Sequence, residues 1–383
     1  MKKIYYYYTF LITLISGCAG ITLNQKIETT ENDWAMCGGN HLQQNVAKSV
    51  LAPPLILKWS YNIDAGVGYQ SISVSDAVVF VNTLNGELHA IDVSSGSKIG
   101  YISLLGSEAS SSALINGNNL LITFAGDKNN SMMNYNLLTG EVNWTRNLGF
   151  IQTSPVMFDG FVYSGTLEGK FYKTSVDKDS VYWSFDAGSQ IHSTCALSEG
   201  KAVFGSDNGS VFCLNTDDGK EIWKYKFAAS VFSAPMINDD KVFFGSYDSN
   251  YYCLSLDSGK VLWKKNLKTK IFSGSSFHEG KIITNGIDGK VYALNFADGN
   301  IAWTFETKGA IVSTPLVSGN CVYITSYDWN LYSLDAATGK LLWTYTLDGK
   351  AKTSPVVWNK FLFTAADRFV YCFISDTTKV SSK

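Results

Sequence analysis

The side chains able to do chemistry in this 383-residue chain are its seven cysteines, its four histidines and a recurring set of aspartates. The sequence holds neither a Cys-x-x-Cys-His haem motif nor the His and Cys spacings of a zinc site. Because the histidines are scattered, no Ser/His/Asp constellation can be assigned. They are His41, His89, His192 and His278. We therefore predict no catalytic residue and no metal site.

The recurring aspartates and three of the cysteines share fixed registers in the chain. An aspartate at one hairpin register indicates a turn preference. These aspartates are Asp207, Asp248, Asp288, Asp328 and Asp367. Cys213, Cys253 and Cys372 share a strand register in which other copies carry Ala293 and Ser333. A position occupied by Cys, Ala or Ser is predicted to be small and buried, so these thiols are interpreted as packing residues.

Cys18 has the clearest chemical assignment. Lys2 and Lys3 precede a mostly apolar stretch at residues 4–15, which ends in Ile15-Ser16-Gly17-Cys18. This pattern resembles a bacterial lipobox, which implies cleavage before Cys18, a diacylglycerol on its sulfur and acylation of the new amine. The apolar stretch is too short for an ordinary membrane span, whereas two or more acyl chains anchor a protein stably. An ordinary signal peptide with an incidental cysteine is the alternative.

The expected location follows from the residue after Cys18. Ala19 stands where an aspartate would signal retention in the inner membrane. We therefore expect a lipoprotein of the outer membrane that faces the periplasm. Residues 1–17 are the predicted signal peptide. Residues 18–54 are predicted to be a lipid-anchored tether and an opening segment, with polar residues 19–32 as the tether.

The remainder of the chain is organised by a repeat marked by Gly-x-x-x-Trp, whose period of roughly 40 residues is typical of repeat architectures. Tryptophan recurs at this constant interval at Trp183, Trp223, Trp263, Trp303 and Trp343, and Trp144 precedes Trp183 by nearly the same interval. The gap between Trp59 and Trp144 is about twice as long, which leaves room for one more copy. Gly100 occupies the tryptophan position of that copy, because Gly96 lies four residues before it. The chain therefore contains eight registers.

Each repeat reads as about four short strands. Asn85-Gly86, Asn208-Gly209 and Asp288-Gly289 are strong signals for two-residue hairpins. Four-stranded units at this period predict an all-β, eight-bladed β-propeller of antiparallel blades over residues 55–374. The strand around Trp59 is expected to complete the last blade and close the ring, and residues 375–383 form a C-terminal tail.

Composition agrees with this fold and argues against one class of partner. Aromatic residues make up 14% of the chain and charged residues 17%, with 33 glycines. These proportions suit many short strands joined by tight turns. The formal net charge is −2, and the sequence contains no basic block. We therefore expect no nucleic-acid partner.

The copies at residues 293–303 and 334–343, the second reading Leu-Asp-Ala-Ala-Thr-Gly-Lys-Leu-Leu-Trp, resemble the PQQ-type β-propeller repeat family. The resemblance covers about residues 55–374. It implies that each tryptophan docks against a turn of an adjacent blade. Residues 33–40 are also similar to the short opening segment that precedes many such propellers.

Two branches of the family give different expectations of function. One comprises quinoprotein dehydrogenases, which bind pyrroloquinoline quinone and calcium. The other includes BamB-like lipoproteins of the outer-membrane β-barrel assembly machinery. This chain lacks the adjacent cysteine pair and the large insertions of the dehydrogenases. We therefore expect a non-enzymatic, cofactor-free scaffold for an envelope protein partner, with the β-barrel assembly machinery as the most concrete candidate. A propeller that binds a small molecule or glycan is the alternative, and a quinone-dependent dehydrogenase is less favoured.

Function is sought where the repeat varies. The position nine residues after each tryptophan, or eight after Trp144, would ring one mouth of the channel if the next strand lines it. Its occupants are Gln152, His192, Phe232, Phe272, Val312 and Lys352. Such variation suits either a ligand or a tolerant surface. Trp329 and Trp358 are predicted on turns, where exposed aromatic side chains are candidate partner contacts and local packing is the alternative.

Overall fold

The computed structural model describes residues 20–104, 108–125 and 130–376. It confirms an all-β propeller of eight blades, each containing a four-stranded antiparallel sheet. Cys18 and the predicted signal peptide lie outside the described residues.

Two strands precede the first blade: β1 (Val46–Ala47) and β2 (Leu55–Asn62). Blade 1 contains β3 (Val67–Ser75), β4 (Val78–Thr83), β5 (Glu87–Asp92) and β6 (Lys98–Ser103), and blade 2 contains β7 (Leu114–Asn116), β8 (Asn119–Thr123), β9 (Met132–Asn136) and β10 (Glu141–Arg146). Blade 3 contains β11 (Val156–Phe158), β12 (Phe161–Gly165), β13 (Lys170–Ser175) and β14 (Val181–Asp186). Blade 4 contains β15 (Ala196–Ser198), β16 (Lys201–Gly205), β17 (Ser210–Asn215) and β18 (Glu221–Lys226).

Blade 5 contains β19 (Met236–Asn238), β20 (Lys241–Gly245), β21 (Asn250–Ser255) and β22 (Val261–Asn266). Blade 6 contains β23 (Ser276–His278), β24 (Lys281–Asn285), β25 (Lys290–Asn295) and β26 (Ile301–Glu306). Blade 7 contains β27 (Leu316–Ser318), β28 (Cys321–Thr325), β29 (Asn330–Asp335) and β30 (Leu341–Thr346). Blade 8 begins with β31 (Val356–Trp358), β32 (Phe361–Ala366) and β33 (Phe369–Ser375). First strands of adjacent blades contact one another, as β3 does with β7 and β31 and β15 does with β11 and β19, and so lie nearest the channel.

Ring closure occurs as the sequence predicts. Strand β2 pairs antiparallel with β33, from Leu55 opposite Ser375 to Asn62 opposite Phe369. The fourth strand of blade 8 therefore comes from the beginning of the propeller, which covers the edge of β33 and joins the two ends of the ring. Blade 7 gains a fifth strand, because β1 adds to β27 in parallel.

The seams between blades are held by a repeated tryptophan contact. The Trp223 indole Nε1 of blade 4 donates a hydrogen bond of 2.8 Å to the Leu256 carbonyl of blade 5. Its ring lies against Gly259, where an added Cβ would come within 2.6 Å of the indole. The same bond joins Trp59 to Val93, Trp183 to Thr216, Trp263 to Phe296 and Trp303 to Ala336. These contacts confirm that the tryptophans dock against adjacent blades.

The seam between blades 1 and 2 has no such tryptophan. Gly100 pairs with Ala90 in the register that tryptophan occupies elsewhere. The N-terminal segment fills the space, since an added Cβ on Gly100 would lie 2.4 Å from the Gly20 carbonyl oxygen. Ile21 is fully buried there. Residues 20–27, predicted as part of a polar tether, are thus packed against the ring, because two isoleucines, Ile21 and Ile27, bury their side chains in it.

The opening segment, residues 33–47, crosses one end of the channel. Trp34 forms a backbone bridge with Val74 of blade 1. Carbonyl groups of the segment then accept amide hydrogens from the first strands of five other blades. These bonds join Ala35 to Ile115, His41 to Leu197, Leu42 to Ile237, Gln44 to Phe277 and Asn45 to Val317. The segment therefore covers this end of the channel, which we call the floor, and leaves the opposite end, the mouth, open.

The seam contact predicts different costs for two glycine substitutions. Gly259 and Gly200 both have positive φ, +65° and +71°, but nothing lies within 4 Å of an added Cβ on Gly200. Both Gly→Ala variants should lose about 1–2 kcal/mol from the strained backbone. Gly259→Ala should lose a further 1–3 kcal/mol or so, because the Trp223 indole must move. Urea unfolding of the two variants measures the difference, and equal losses would contradict the seam account.

Candidate functional site

The predicted ring of variable residues surrounds the mouth of the channel. All six of its members line one cavity of about 260 Å³. They are Gln152, His192, Phe232, Phe272, Val312 and Lys352. Each stands on the loop that leads from the outer strand of one blade to the first strand of the next. The structure therefore places all six residues around one cavity, and their role as partner or ligand contacts stays a prediction.

Small residues two positions further along hold this ring in place. The Ser154 amide donates to the Thr194 hydroxyl at 3.3 Å, and the Thr314 amide donates to the Ser354 hydroxyl at 2.8 Å. Each bond links one blade to the next around the channel axis. Because the side chains are short, the loops approach closely, and the larger residue two positions before each of them is directed into the mouth.

One side of the cavity is a continuous aromatic wall. The rings of His192 and Phe232 have centroids 5.1 Å apart, and Phe232 and Phe272 are stacked at 6.2 Å. Tyr69 then meets Phe272 edge-to-face at 4.9 Å. Tyr247 supports the wall from outside, 4.8 Å from Phe232. Offset and edge-to-face contacts of this kind are favourable geometries for aromatic pairs, so the wall is a preformed apolar surface.

The cavity also carries polar and charged groups beside this wall. The Lys352 Nζ lies 5.4 Å from the centroid of the Tyr69 ring, a cation–π contact. Burial lowers the pKa of Lys352, and the nearby Glu108 and Asp367 carboxylates oppose that shift. His192 Nδ1 lies 2.9 Å from an Asp207 carboxylate oxygen, which fixes the orientation of the imidazole. The cavity therefore combines an apolar wall with both signs of charge and suits an amphipathic group.

Sequence reasoning missed Tyr69, Gln70 and Glu108, which also line the cavity. The spacing of the repeat already pointed to two of them. The positions nine residues after Trp59 and Gly100 are Gly68 and Ala109, the immediate neighbours of Tyr69 and Glu108. Tyr69 is displaced because β3 departs from regular pairing between Val67 and Ile72.

Trp329 and Trp358, the two tryptophans predicted on turns, lie in different environments. Trp329 is 50% exposed, and its φ of +73° places it where other copies carry turn glycines. Its hairpin lies on the mouth side, since the Tyr327 amide bonds to the Ala310 carbonyl on the loop that carries Val312.

The prediction of an exposed Trp358 on a turn is wrong. Trp358 ends β31 and is only 9% exposed. Its Nε1 donates to Asp33 at 2.9 Å, and its ring stacks on Phe361. The opening segment, which lies at the other end of the sequence, covers the side chain and removes it from the candidate contacts.

Three of the recurring aspartates and two of the cysteines at the shared strand register take structural positions, whereas Asp207 bonds to His192 at the mouth. Asp288 accepts the Tyr292 hydroxyl at 2.7 Å and the Lys290 amide at 3.2 Å, which caps the hairpin turn; Asp248 and Asp328 bind their turns in the same way. Cys213 and Cys253 are fully buried, and burial raises the pKa of each thiol to about 12. Among residues 20–104, 108–125 and 130–376, no group of three His, Cys, Asp or Glu side chains could hold a metal ion.

The mouth does not fit pyrroloquinoline quinone with calcium, the pair that the PQQ-type resemblance implies for dehydrogenases. Calcium takes 6–8 oxygen ligands or so, with carboxylates prominent, whereas Glu108 is the single carboxylate among the described residues that line the cavity. None of the six described cysteines lines it either. We therefore derive no step through a quinone.

No helix in the described part of the chain is both long and apolar enough to span a bilayer.

Comparisons with known proteins agree with this architecture. A family model described as "Outer membrane protein assembly factor BamB" matches residues 55–185, 168–255, 252–357 and 317–378. No curated protein matches the chain. Among solved structures, BamB from Moraxella catarrhalis superposes with a TM-score of 0.70 at 15% identity, covering 84% of this chain and 99% of its own.

Two other solved structures have the same fold. Quinohemoprotein alcohol dehydrogenase from Comamonas testosteroni gives a TM-score of 0.78 at 13% identity, covering 90% of this chain and 80% of its own. The computationally designed protein Ika8 gives 0.71 at 15% identity, covering 82% of this chain and 98% of its own. At such identities structural likeness establishes the fold alone. The family model, however, extends over all eight blades, and the chain accordingly belongs to the family of the outer membrane protein assembly factor BamB.

Proposed function

We propose that this protein is a non-enzymatic scaffold that binds an envelope protein partner at the mouth of the propeller. Lipid attachment at Cys18 would place it on the periplasmic side of the outer membrane. Its role in this proposal is that of a BamB-like component in the assembly of outer-membrane β-barrel proteins. The observation that carries the proposal is the preformed aromatic wall at the open mouth of a BamB-family propeller.

The chemistry of the mouth favours a protein partner. Buried aromatic anchors dominate the binding energy of many protein interfaces. Phe232, Phe272 and Tyr69 supply such a surface, and Trp329 adds a half-exposed indole on the same side. The volume, about 260 Å³, lies below the roughly 300–1,000 Å³ of typical small-molecule pockets. A cavity of this size suits the insertion of a partner's side chain, with the surrounding loops as the polar rim.

A small molecule or glycan remains the second candidate ligand. The opening segment closes the floor, so the cavity is blind, and its aromatic wall could stack on a planar ring or a sugar face. Lys352 and Glu108 would then orient the polar groups of that ligand.

The absence of enzymatic function is part of the proposal, and thermal unfolding tests it. Adding pyrroloquinoline quinone with calcium should leave the melting temperature unchanged, because the described lining of the mouth supplies one carboxylate where a calcium site needs several. A ligand that binds the folded state at 100 times its dissociation constant would stabilise it by about 2.7 kcal/mol. A clear rise in melting temperature with the pair, and none with calcium alone, would contradict the scaffold proposal.

Partner binding can be tested with two exposed apolar side chains. Trp329 on the mouth side is 50% exposed, and Leu262 on the outer strand of blade 5 is 47% exposed. In pull-downs from detergent-solubilised envelope, wild type and Leu262→Ala should recover a barrel-assembly component equally. Trp329→Ala should recover at least about tenfold less, as expected for an interface hot spot. The proposal fails if no barrel-assembly component is recovered, or if all three proteins recover it equally.

A further inference from the structure

Residues 20–27, here called the strap, replace a tryptophan of the repeat. In five seams an indole Nε1 donates to the carbonyl that follows the third strand of the next blade. In the seam between blades 1 and 2 that carbonyl belongs to Leu137, and its donor is the Leu23 amide at 2.7 Å. Gly140, the counterpart of Gly259, faces the Thr22 hydroxyl where the other glycines face an indole.

The strap is fixed along its length. The Ile21 amide donates to the Tyr135 hydroxyl at 3.0 Å, and that hydroxyl donates back to the Ile21 carbonyl at 3.0 Å. The Ile27 amide bonds to Asn118 Oδ1 at 2.9 Å. Ile21 and Ile27 are both buried in the cluster that joins blades 1 and 2. The strap therefore belongs to the folded ring and does not act as a free linker.

This geometry limits where a lipid on Cys18 can lie. Cys18 precedes Gly20 by two residues, and two fully extended residues span at most about 7 Å. Gly20 packs against Gly100 on β6, the outer strand of blade 1. An acylated Cys18 is consequently held close to the outer rim of the seam between blades 1 and 2.

We infer that this rim, and no other part of the ring, rests on the phospholipid leaflet. The inference rests on the proposed acylation of Cys18. Ile99 on β6 and Val142 on β10 are 39% and 47% exposed on the strands that border the seam. Other blades expose similar side chains, such as Leu262 and Ile301, so the short connection from Gly20 to Cys18, and not the apolar side chains, selects this rim. Apolar side chains at such a position can enter the headgroup boundary.

The strap also sets the position of the mouth relative to the membrane. From Gly20 on the rim, the chain passes to Asn118 in the first hairpin of blade 2 and then to the floor at Trp34. The strap and the residues that follow it thus join the rim to the floor, on the side of the ring away from the mouth. The mouth is left open to the periplasm for a partner.

Energy transfer from the rim to labelled lipid tests the inference. Val142 and Ile301 occupy the same register on blades 2 and 6, which lie opposite each other, and are 47% and 40% exposed. The full-length protein would carry Val142→Cys or Ile301→Cys with a fluorophore, in phosphatidylethanolamine and phosphatidylglycerol vesicles that contain a headgroup acceptor. The six described cysteines are buried, and the Cys18 sulfur is blocked by its lipid. Transfer should be several-fold more efficient from position 142 than from position 301.

Two variants test whether the strap causes the difference in energy transfer between positions 142 and 301. Gly100→Trp should restore the missing indole and displace Gly20 and Ile21, so the difference between positions 142 and 301 should disappear. Ile99→Trp, at the neighbouring exposed position, should leave both the strap and the difference intact. If acylated protein with no change other than the labelled cysteine gave equal transfer from positions 142 and 301, the inference about the rim would be wrong. The proposed acylation of Cys18 would still stand. Mass spectrometry showing no acyl chain on Cys18 would instead overturn the proposed anchor, and this inference with it.

Discussion

The structure depends on a buried carbonyl in the seam between blades, which needs a donor from outside its own blade. A buried carbonyl without a partner is costly, and an indole reaching across the seam satisfies it while filling the space above a glycine. Different groups can donate this hydrogen bond, but the carbonyl needs a donor in every seam described below. Between blades 2 and 3 the Asn134 amide donates to the Val176 carbonyl at 2.8 Å, and Arg146 packs on the Trp144 ring. Between blades 1 and 2 the Leu23 amide serves. Tryptophan is thus the usual solution, and the strap is another.

This constraint separates the parts of the ring that must be regular from those that can vary. The seams fix the blades, and the short hydroxyl side chains near the axis fix the loops that enter the channel. The residue two positions before each of these short side chains is then free to change, and in this chain the variable residues include those that form the aromatic wall at the mouth. The opening segment closes the other end.

The periodic features of the molecule could be predicted from sequence, and the aperiodic contacts could not. Eight tryptophan registers, counted with Gly100, predict the blades, the closure through Trp59 and the ring at the mouth, because identical spacing puts residues in equivalent places. Trp358 was misjudged because Asp33, 325 residues away, covers it. The strap was missed because Ile21 and Ile27 stand in a polar stretch with no repeat. Gly100 was the one visible sign that something else must fill its seam.

The central claim is that the mouth, with its floor closed, is the surface that meets an assembly partner. In-cell photo-crosslinking tests it most directly, with a photoreactive amino acid at Phe272 on the aromatic wall or at Val50, which is 72% exposed beside the Gly319 turn on the floor side. The account predicts a covalent adduct with a barrel-assembly component from position 272 and none from position 50. Adducts from position 50 alone, or no such adduct from position 272, would contradict it.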